Sequence, residues 1–557
     1  MSELLSLRRL SEPRGLGRGE SIAAAGIVFV FFAAVVGGSV WQGLYNLDPH
    51  HYGLMLSNAK DFSDGKLPYR DIFIQYGILT TIIHAAAYGL GGANLIAIIT
   101  VTGVAYAIGL VMVYRLAVRI TGSFRLAIYI YLTLFLFHPI AIYPWSNYLA
   151  FPFLVYSIFL LLDRSYSSIK FFLAGISLGL AILAREGLAP AVLMLLASYV
   201  VIDHLCLDRG DSRANLMIKW TLPGLFLLLG IFFIYLAWHD LLPYWWLHSW
   251  RLPAIYAKES FPHMTGIRFF SPLAHEMRNG FRILDWRWIL VFAVVAANIG
   301  VSIFSGVIAL RDRFFGDGVQ GNGCNTHDYL KVAIASLLML TSALHAPDIF
   351  RLATGIMIGC IILYTLMDRL KLANVFFAVV VLALGVTFKT GMHFFPTKAM
   401  LAVEDSVRSP SYFKGQYWPP AVTDYYQNIE RDLIAIKNAG CGVHYQYNGT
   451  IDAFLLVVSP FEKFHFSAWA TKNASINGLR QDLDFKAKIA AAQDIVIVDS
   501  IDHSELGRFY PPDGFFLYSQ YTIPANNWTW PDRFGKRNAE LLILVPTKCS
   551  FMTTLSP

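Results

Sequence analysis

The sequence predicts a polytopic α-helical membrane protein of about 11 to 13 transmembrane helices, followed by a C-terminal extracytoplasmic α/β domain. Of its 557 residues, 56% are hydrophobic and only 15% are charged, a balance that soluble domains do not have. Apolar runs long enough to cross a bilayer recur between residues 21 and 388. From residue 389 the chain becomes polar and rich in turn residues, and short β-type runs replace the long apolar ones.

The first element is a basic N-terminal stretch followed by an apolar run. Residues 1–20 include Arg8, Arg9, Arg14 and Arg18, and residues 21–41 are apolar enough to span. A cleaved signal peptide is the alternative, but the run is long for such a peptide and no clear small-residue cleavage site follows it. Because basic flanks stay in the cytoplasm, we expect residues 1–20 to be cytoplasmic.

Further apolar runs alternate with loops of different charge. Arg115, Arg119 and Arg125 surround one connection, the next ("YPWSNY") has no basic residue, and later connections continue the alternation. All basic clusters of the short loops then fall on one side of the membrane, which is the positive-inside pattern. The predicted spans after the first are 95–116, 126–141, 148–162, 171–184, 188–202, 220–238, 288–310, 332–344, 352–367 and 372–388.

One apolar stretch, residues 72–92, does not fit this alternation. A crossing there would place Arg115, Arg119 and Arg125 outside and would invert every later loop. We therefore expect this stretch to lie along the outer face or to dip into it, which its glycines and polar residues tolerate. An ordinary span with an imperfect charge rule is the alternative.

The predicted organisation follows from these spans. Residues 21–388 form the transmembrane domain, with a first outer loop at 42–93 that includes juxtamembrane helices and a large outer loop at 239–287. Residues 389–557 form the extracytoplasmic α/β domain, in which the runs "DAFLLVVS", "DIVIVDS" and "AELLILVP" predict strands. Cys441 and Cys549 both fall in this domain, either as one disulfide or as two free thiols.

Several function classes are disfavoured by composition and motifs. The net charge of +7 is explained by cytoplasmic loops, so no nucleic-acid partner is expected. The sequence has no CxxC, HExxH or other metal-ligand spacing, and no P-loop or strand-to-helix GxGxxG segment. A resident metal or a nucleotide-hydrolysing site is therefore not predicted.

The first outer loop concentrates ionisable residues directly after the first span. Asp48, His50 and His51 begin it, and Asp61, Asp64 and Asp71 follow beside three basic residues. A solvated loop whose charges only keep it in water is the alternative. However, Asp48 and His51 follow the membrane span so closely that they could meet a substrate whose tail lies in lipid, and the apolar residues after them predict a surface helix.

Residues 46–79, "NLDPHHYGLMLSNAKDFSDGKLPYRDIFIQYGIL", resemble the first outer loop of the GT-C-fold membrane glycosyltransferases. This superfamily includes protein O-mannosyltransferases and aminoarabinose transferases. The resemblance implies a GT-C-like transmembrane domain and a polyprenyl-phosphate or polyprenyl-diphosphate sugar donor. It also implies an extracytoplasmic acceptor hydroxyl, with Asp48 as the general base.

Two departures from the family pattern bear on the chemistry. Pro49 stands where a second acidic residue would give a paired motif, so a divalent cation (Mg or Mn) is not supported by that motif. The segment Gln75-Tyr76-Gly77 stands where the family commonly has prolines. No cofactor is therefore assigned, and a divalent cation stays an open alternative without support from a paired acidic motif.

The leaving phosphate needs cations or hydrogen-bond donors at the outer ends of the spans. Each such arginine or lysine has an alternative role, in which it extends to lipid headgroups. The candidate substrate-binding residues are His50, His51, Tyr69, Arg70, Asp71, Gln75, Tyr76, Arg185, Glu186, His248, Arg251, His345, Asp348 and Arg351.

Other function classes remain as alternatives. A flippase for lipid-linked saccharides would bury ionisable groups near the bilayer midplane, and a polysaccharide polymerase or ligase would depend on a large late loop. A receptor or scaffold would leave the charged first loop unexplained. The expected partners are a polyprenyl-linked sugar donor, an extracytoplasmic acceptor and the lipid bilayer, and the expected location is a bacterial inner (plasma) membrane.

Overall fold

A computed structural model describes most of the chain. The described residues are 18–45, 49–74, 76–137, 144–163, 167–206, 210–254, 271–282, 285–315, 324–341, 349–389, 406–408, 410–447, 453–463, 494–502, 514–522 and 539–549.

The described chain up to residue 389 consists mainly of helices. They are α1 (Arg18–Tyr45), α2 (Pro49–Ser63), α3 (Ile78–Leu90), α4 (Leu95–Thr121), α5 (Phe124–Phe137), α6 (Ser146–Leu161), α7 (Ser168–Ala184), α8 (Ala189–Cys206), α9 (Gly210–Trp238), α10 (Leu242–Trp246), α11 (Ser271–Arg282), α12 (Arg287–Phe315), α13 (Cys324–Thr341), α14 (Ile349–Arg369) and α15 (Ala373–Lys389).

Each of the eleven predicted spans overlaps one of these helices, although residues 138–141 and 342–344 of two spans lie outside the described part, so the polytopic helical class is confirmed. Within the described ranges, six helices are long and apolar enough to cross a membrane by length and composition. Most of the remaining predicted spans are shorter apolar helices that pack between these six. The six are Ala25–Tyr45, Leu95–Thr121, Glu186–Leu205, Arg213–Trp238, Arg287–Ile308 and Arg351–Arg369.

Helices α1 and α4 pack closely and antiparallel. A Cβ added to Gly43 would lie 2.7 Å from Ile99, and one added to Gly103 would lie 2.8 Å from Ser39 Cβ. The absence of side chains at both glycines therefore permits the contact. Because the end of α1 faces the start of α4, residues 46–94 connect two helix ends on the same side of the bundle.

Helix α3 lies within this connection. Its 13 residues extend for about 20 Å, which is shorter than the hydrocarbon core of about 30 Å. His84 Nε2 hydrogen-bonds Thr102 Oγ1 of α4 at 3.1 Å, and Ser63 of α2 donates to the Ala85 carbonyl of α3. These contacts favour the placement of residues 72–92 at the outer face, which remains a prediction.

The C-terminal part is an α/β unit, as predicted. Helix α16 (Pro420–Asn438) and the single turn α17 (Leu455–Val458) accompany the strands β1 (His444–Tyr447), β2 (Glu462–Lys463), β3 (Ile495–Asp502), β4 (Phe515–Thr522) and β5 (Ala539–Pro546). Their order in the sheet is β2-β1-β3-β5-β4. Strand β1 is parallel to β2 and β3, whereas β5 is antiparallel to β3 and β4.

Two of the three predicted strands are confirmed and one is wrong. The runs "DIVIVDS" and "AELLILVP" form most of β3 and β5. The run "DAFLLVVS" instead forms the turn of helix α17, whose four side chains are all buried. An unbroken apolar run has no period that distinguishes a buried strand from a buried helical turn.

Cys441 and Cys549 are buried free thiols in this unit. They are close enough for a hydrogen bond between the two side chains. Burial raises the pKa of Cys549 to about 12, and the contact with Cys441 acts in the same direction. The sequence left open whether this pair is a disulfide or two free thiols, and the structure has two free thiols.

The C-terminal unit docks on the end of the bundle that carries α2 and α3. The Tyr417 N–H donates to the Leu44 carbonyl at 2.8 Å, and Gln416 Nε2 donates to the Gly43 carbonyl at 3.0 Å. The Tyr45 and Tyr417 rings stack with centroids 5.0 Å apart. The sheet domain and the first outer loop therefore lie on the same side.

Candidate functional site

An aromatic residue, Trp145, joins candidates from three elements at this end of the bundle. The ring of His51, in the first turns of α2, lies 4.9 Å from the Trp145 ring, and the ring of Tyr76 lies 5.9 Å from it. The guanidinium carbon of Arg351, near the start of α14, lies 5.1 Å from the same ring centroid. Three predicted site residues thus converge on a tryptophan that the sequence analysis did not select.

The signal that could have identified Trp145 is its position. It directly precedes α6 in a connection without basic residues, where aromatic residues of a membrane protein commonly lie at headgroup depth. The interface preference applies to every tryptophan in such a position, so it does not distinguish one that also contacts a site.

Arg185 and Arg351 line one narrow pocket. Arg185 ends α7 because it adopts an extended backbone (φ −145°, ψ 95°), and a single 3₁₀ turn, Glu186–Leu188, then leads into α8. Burial and the nearby Arg351 lower the pKa of Arg185 to about 10, so the Arg185 side chain keeps its charge at neutral pH. The pocket residues include Asn147, Arg185, Met339, Arg351 and Thr354.

Two guanidinium groups near one pocket suit an anion. Each presents N–H donors in a planar arrangement that matches phosphate or carboxylate oxygens. Burial and mutual repulsion both disfavour the charge on Arg185. A bound phosphate would reverse the second effect and offset the first.

Glu186 is held by donors from two other segments. Its carboxylate accepts from the Tyr69 hydroxyl at 2.5 Å, from Trp245 Nε1 at 3.2 Å and from the Ser249 side chain. Its backbone N–H donates to the Tyr76 carbonyl at 2.8 Å. Glu186 therefore joins the first outer loop to residues 242–251, and its observed contacts are those of a residue that positions both segments.

His248 and Arg251 belong to a π-helical turn, Leu247–Arg251, that continues α10. The His248 side chain is buried, with its ring 5.0 Å from Phe73 and 6.1 Å from Tyr69. Arg251 is exposed. Of these two candidates, His248 packs against the first outer loop, and Arg251 faces solvent or headgroups.

Arg70 and Asp71 pair with each other at the surface of the first outer loop. Arg70 Nε lies 2.9 Å from Asp71 Oδ1, and Asp71 also accepts from the Leu67 N–H at 2.9 Å. The preceding residue, Tyr69, is fully buried with φ +65°, a left-handed conformation that is costly for a bulky residue. The turn thus directs Tyr69 inward to Glu186 and leaves the Arg70–Asp71 pair outside.

Four predicted site residues lie outside the described part of the chain: Asp48, Gln75, His345 and Asp348. His50 lies in α2, but its side chain is not among those described. Within the described ranges, no group of three or more His, Cys, Asp or Glu side chains could hold a metal ion.

Comparisons with known proteins give a structural likeness. No protein-family model and no curated protein matches the chain. Among solved structures, the chain is similar to the crystal structure of ArnT from Cupriavidus metallidurans in the apo state. The sequence identity is 14% and the TM-score 0.46, over 94% of this chain and 98% of that chain.

Proposed function

We propose that this protein is a GT-C-type membrane glycosyltransferase that moves a sugar from a polyprenyl-phosphate or polyprenyl-diphosphate donor to an extracytoplasmic acceptor. The observation that supports this most directly is the pocket shared by Arg185 and Arg351, beside the first outer loop. A lipid-linked phosphate presents the negative charge and the pairs of oxygens that guanidinium groups bind through two N–H donors. Its polyprenyl tail would remain in the bilayer next to the bundle.

Asp48 is the proposed general base. In the sequence it directly precedes α2, and His51 in the first turn of that helix packs against the Trp145 ring. The acceptor hydroxyl attacks the anomeric carbon, its proton passes to the Asp48 carboxylate, and the bond between that carbon and the phosphate oxygen breaks. General-base catalysis of this kind contributes on the order of 10² to 10⁴ in rate.

Arg185 and Arg351 would stabilise the charge that develops on the leaving phosphate. This stabilisation is greater in the transition state than in the bound donor, because the bridging oxygen gains charge as the bond breaks. The remaining candidates on the first outer loop and the 242–251 segment would position the sugar and the acceptor. The acceptor would be a glycan, a lipid or a protein of the cell envelope, and the enzyme would lie in a bacterial inner membrane with its C-terminal domain outside.

The test is turnover of lipid-linked donors by purified wild-type and Asp48→Asn proteins. Both are incubated with a mixed pool of polyprenyl-phosphate sugars and cell-envelope acceptors, and sugar loss from the lipid is followed by mass spectrometry. We expect turnover with the wild type and none with Asp48→Asn. Asp64→Asn is the matched control, because Asp64 is an exposed carboxylate of the same loop that pairs with Lys60.

Equal turnover by wild type and Asp48→Asn would remove Asp48 from the mechanism. Tight donor binding without turnover by any of the proteins would instead support a flippase.

A transporter is the second candidate, and a buried ionic cluster is the observation that favours it. Asp203 of α8 lies 3.2 Å from Arg213 Nε of α9 and also pairs with Lys331 of α13, and all three side chains are buried. Intramembrane ionisable groups are frequent in transport pathways. This cluster, however, lies toward the end of α8 that is away from the first outer loop. There Arg213 also donates a hydrogen bond to the Leu161 carbonyl. A cluster at this position is suited to holding the ends of several helices together.

A further inference from the structure

The backbone of helix α2 lies directly against the C-terminal domain. A Cβ added to Gly53 would lie 2.4 Å from the carbonyl carbon of Ala453 and 2.4 Å from the nitrogen of Phe454. Both partners are backbone atoms immediately before α17, so they cannot move aside as a side chain could. Only glycine permits this contact at position 53.

A buried ionic contact ties the same helix to strand β2. The Asp61 side chain, 3% exposed, pairs with Lys463 of β2 and, at 3.0 Å, with Lys66. Lys463 also donates to the Ser57 hydroxyl, one helical turn before Asp61. A charge pair removed from water in this way is costly to break on one side, because the remaining charge stays buried.

The C-terminal domain also forms hydrogen bonds with the end of α1, which precedes α2 in the chain. Residues 416 and 417 donate hydrogen bonds to the Gly43 and Leu44 carbonyls at the end of α1. The contact points at Gly43 and Leu44 and at Gly53 therefore lie on both sides of Asp48 in the sequence. The domain therefore contacts both the end of α1 and the middle of α2.

We propose that the C-terminal domain is a clamp that sets the position of α2 relative to the end of α1, with Gly53, Asp61 and Lys463 as its positioning residues. The catalytic consequence rests on the proposed function, since it takes Asp48 as the base. The clamp itself does not depend on that function, because it is a statement about which contacts hold α2 in place. In the proposed reaction, the membrane domain supplies the base and the phosphate-binding residues. The clamp would give the C-terminal domain a role in the same reaction, because it positions α2.

The first test is hydrogen exchange of the full-length protein carrying Gly53→Ala. The added methyl group at position 53 should force α2 away from the C-terminal domain. The amides of residues 49–63 should then exchange at least about tenfold faster, which corresponds to about 1.4 kcal/mol of lost protection. Helix propensity alone predicts the opposite sign, because alanine favours a helix over glycine. Gly89→Ala in α3 is the control, since a Cβ there meets nothing within 4 Å. Unchanged or slower exchange of α2 in Gly53→Ala would overturn the clamp.

The second test uses the ion pair and does not depend on how Gly53→Ala folds. Lys463→Met should also increase exchange in α2 and lower kcat with little change in the donor KM, because the donor pocket at Arg185 and Arg351 is untouched. Lys463→Arg keeps the charge and should restore most of kcat. Lys548→Met is the control, because Lys548 forms an exposed pair with Asp494 in the same domain.

The outcomes separate the clamp from the proposed reaction. Faster α2 exchange in both variants without donor turnover by any protein, wild type included, would support the clamp and reject the transferase. Donor turnover with unchanged kcat in Lys463→Met would overturn the positioning role. A kcat loss in Lys463→Met that Lys463→Arg does not restore would also overturn it, because the charge would then not be what holds α2.

Discussion

At the scale of single residues, the candidate site combines positive charge with aromatic contact. Arg351 lies over the Trp145 ring, and the His51 ring packs against the same tryptophan. A guanidinium can stack on a ring and still direct N–H groups at a phosphate, whereas an ammonium is a compact charge on a flexible chain. Arginine and lysine are therefore not equivalent at position 351.

We expect Arg351→Lys to lower kcat/KM for donor turnover by about tenfold to a hundredfold, because one planar donor to the leaving phosphate is lost while the charge remains. Initial rates with a lipid-linked donor measure this. Arg125→Lys is the matched control, because Arg125 is 56% exposed and pairs with Asp368 at 3.1 Å on the opposite end of the bundle. Equal losses in the two variants would show that position 351 has no special role.

At the scale of elements, helix α2 is the piece on which the site and the C-terminal domain meet. Its early residue His51 contacts Trp145, its middle residue Gly53 contacts the backbone before α17, and its late residue Asp61 pairs with β2. Burial by itself raises the pKa of Asp61, but the ammonium groups of Lys463 and Lys66 more than offset this, so the pKa lies below its usual value of 3.8. The charged carboxylate is thus the form that holds α2.

This direction gives a pH prediction. A carboxyl whose folded-state pKa is lowered stabilises the fold above its unfolded-state pKa, and the contribution is lost as the pH falls through the folded-state pKa. We therefore expect hydrogen-exchange protection of α2 to stay constant from about pH 8 to pH 5 and to fall below about pH 4. Protection factors, corrected for the intrinsic pH dependence of exchange, measure this.

Two carboxylate variants provide the comparison for this pH profile. Asp61→Asn should remove the fall in α2 protection near pH 4, because no carboxyl then titrates in the contact. Asp64→Asn should retain it, since Asp64 is half exposed and pairs with Lys60 at the surface. A fall that persists in Asp61→Asn would assign the pH dependence to another group.

At the scale of the whole molecule, the candidate site, the first outer loop and the C-terminal domain share one end of the helical bundle. The end of α14 lies at the other, with Arg369 and Lys371 beside Asp368. Basic residues concentrate on the cytoplasmic side of a membrane protein. The site is therefore predicted to face the extracytoplasmic side.

Single cysteines test this sidedness in intact cells. In a background with the native cysteines replaced by serine, Asp64→Cys should react with a membrane-impermeant maleimide, and Asp368→Cys should react only after permeabilisation. Both positions are solvent-accessible in the structure, so access to the reagent, and not burial, decides the result. The reverse labelling pattern would invert the predicted orientation and place the site in the cytoplasm.

The sequence by itself determined the membrane class, the positions of the apolar helices that overlap the eleven predicted spans, and the change to a polar α/β C-terminal part. Those features depend on the local density and period of apolar residues and on the charge of short loops, which can be read along the chain. Local pattern failed at "DAFLLVVS", where burial hides the period and a helical turn replaced the expected strand.

Only the tertiary structure decided how the candidate residues are combined. Tyr69 meets Glu186 across 117 positions of sequence, and Asp61 meets Lys463 across 402. Arg185 and Arg351 were selected separately, as cations at span ends, and helix packing brings them to one pocket. The physical reason is that a local pattern indicates which face of a helix is buried, whereas the neighbour that covers this face is set by the packing of the whole bundle.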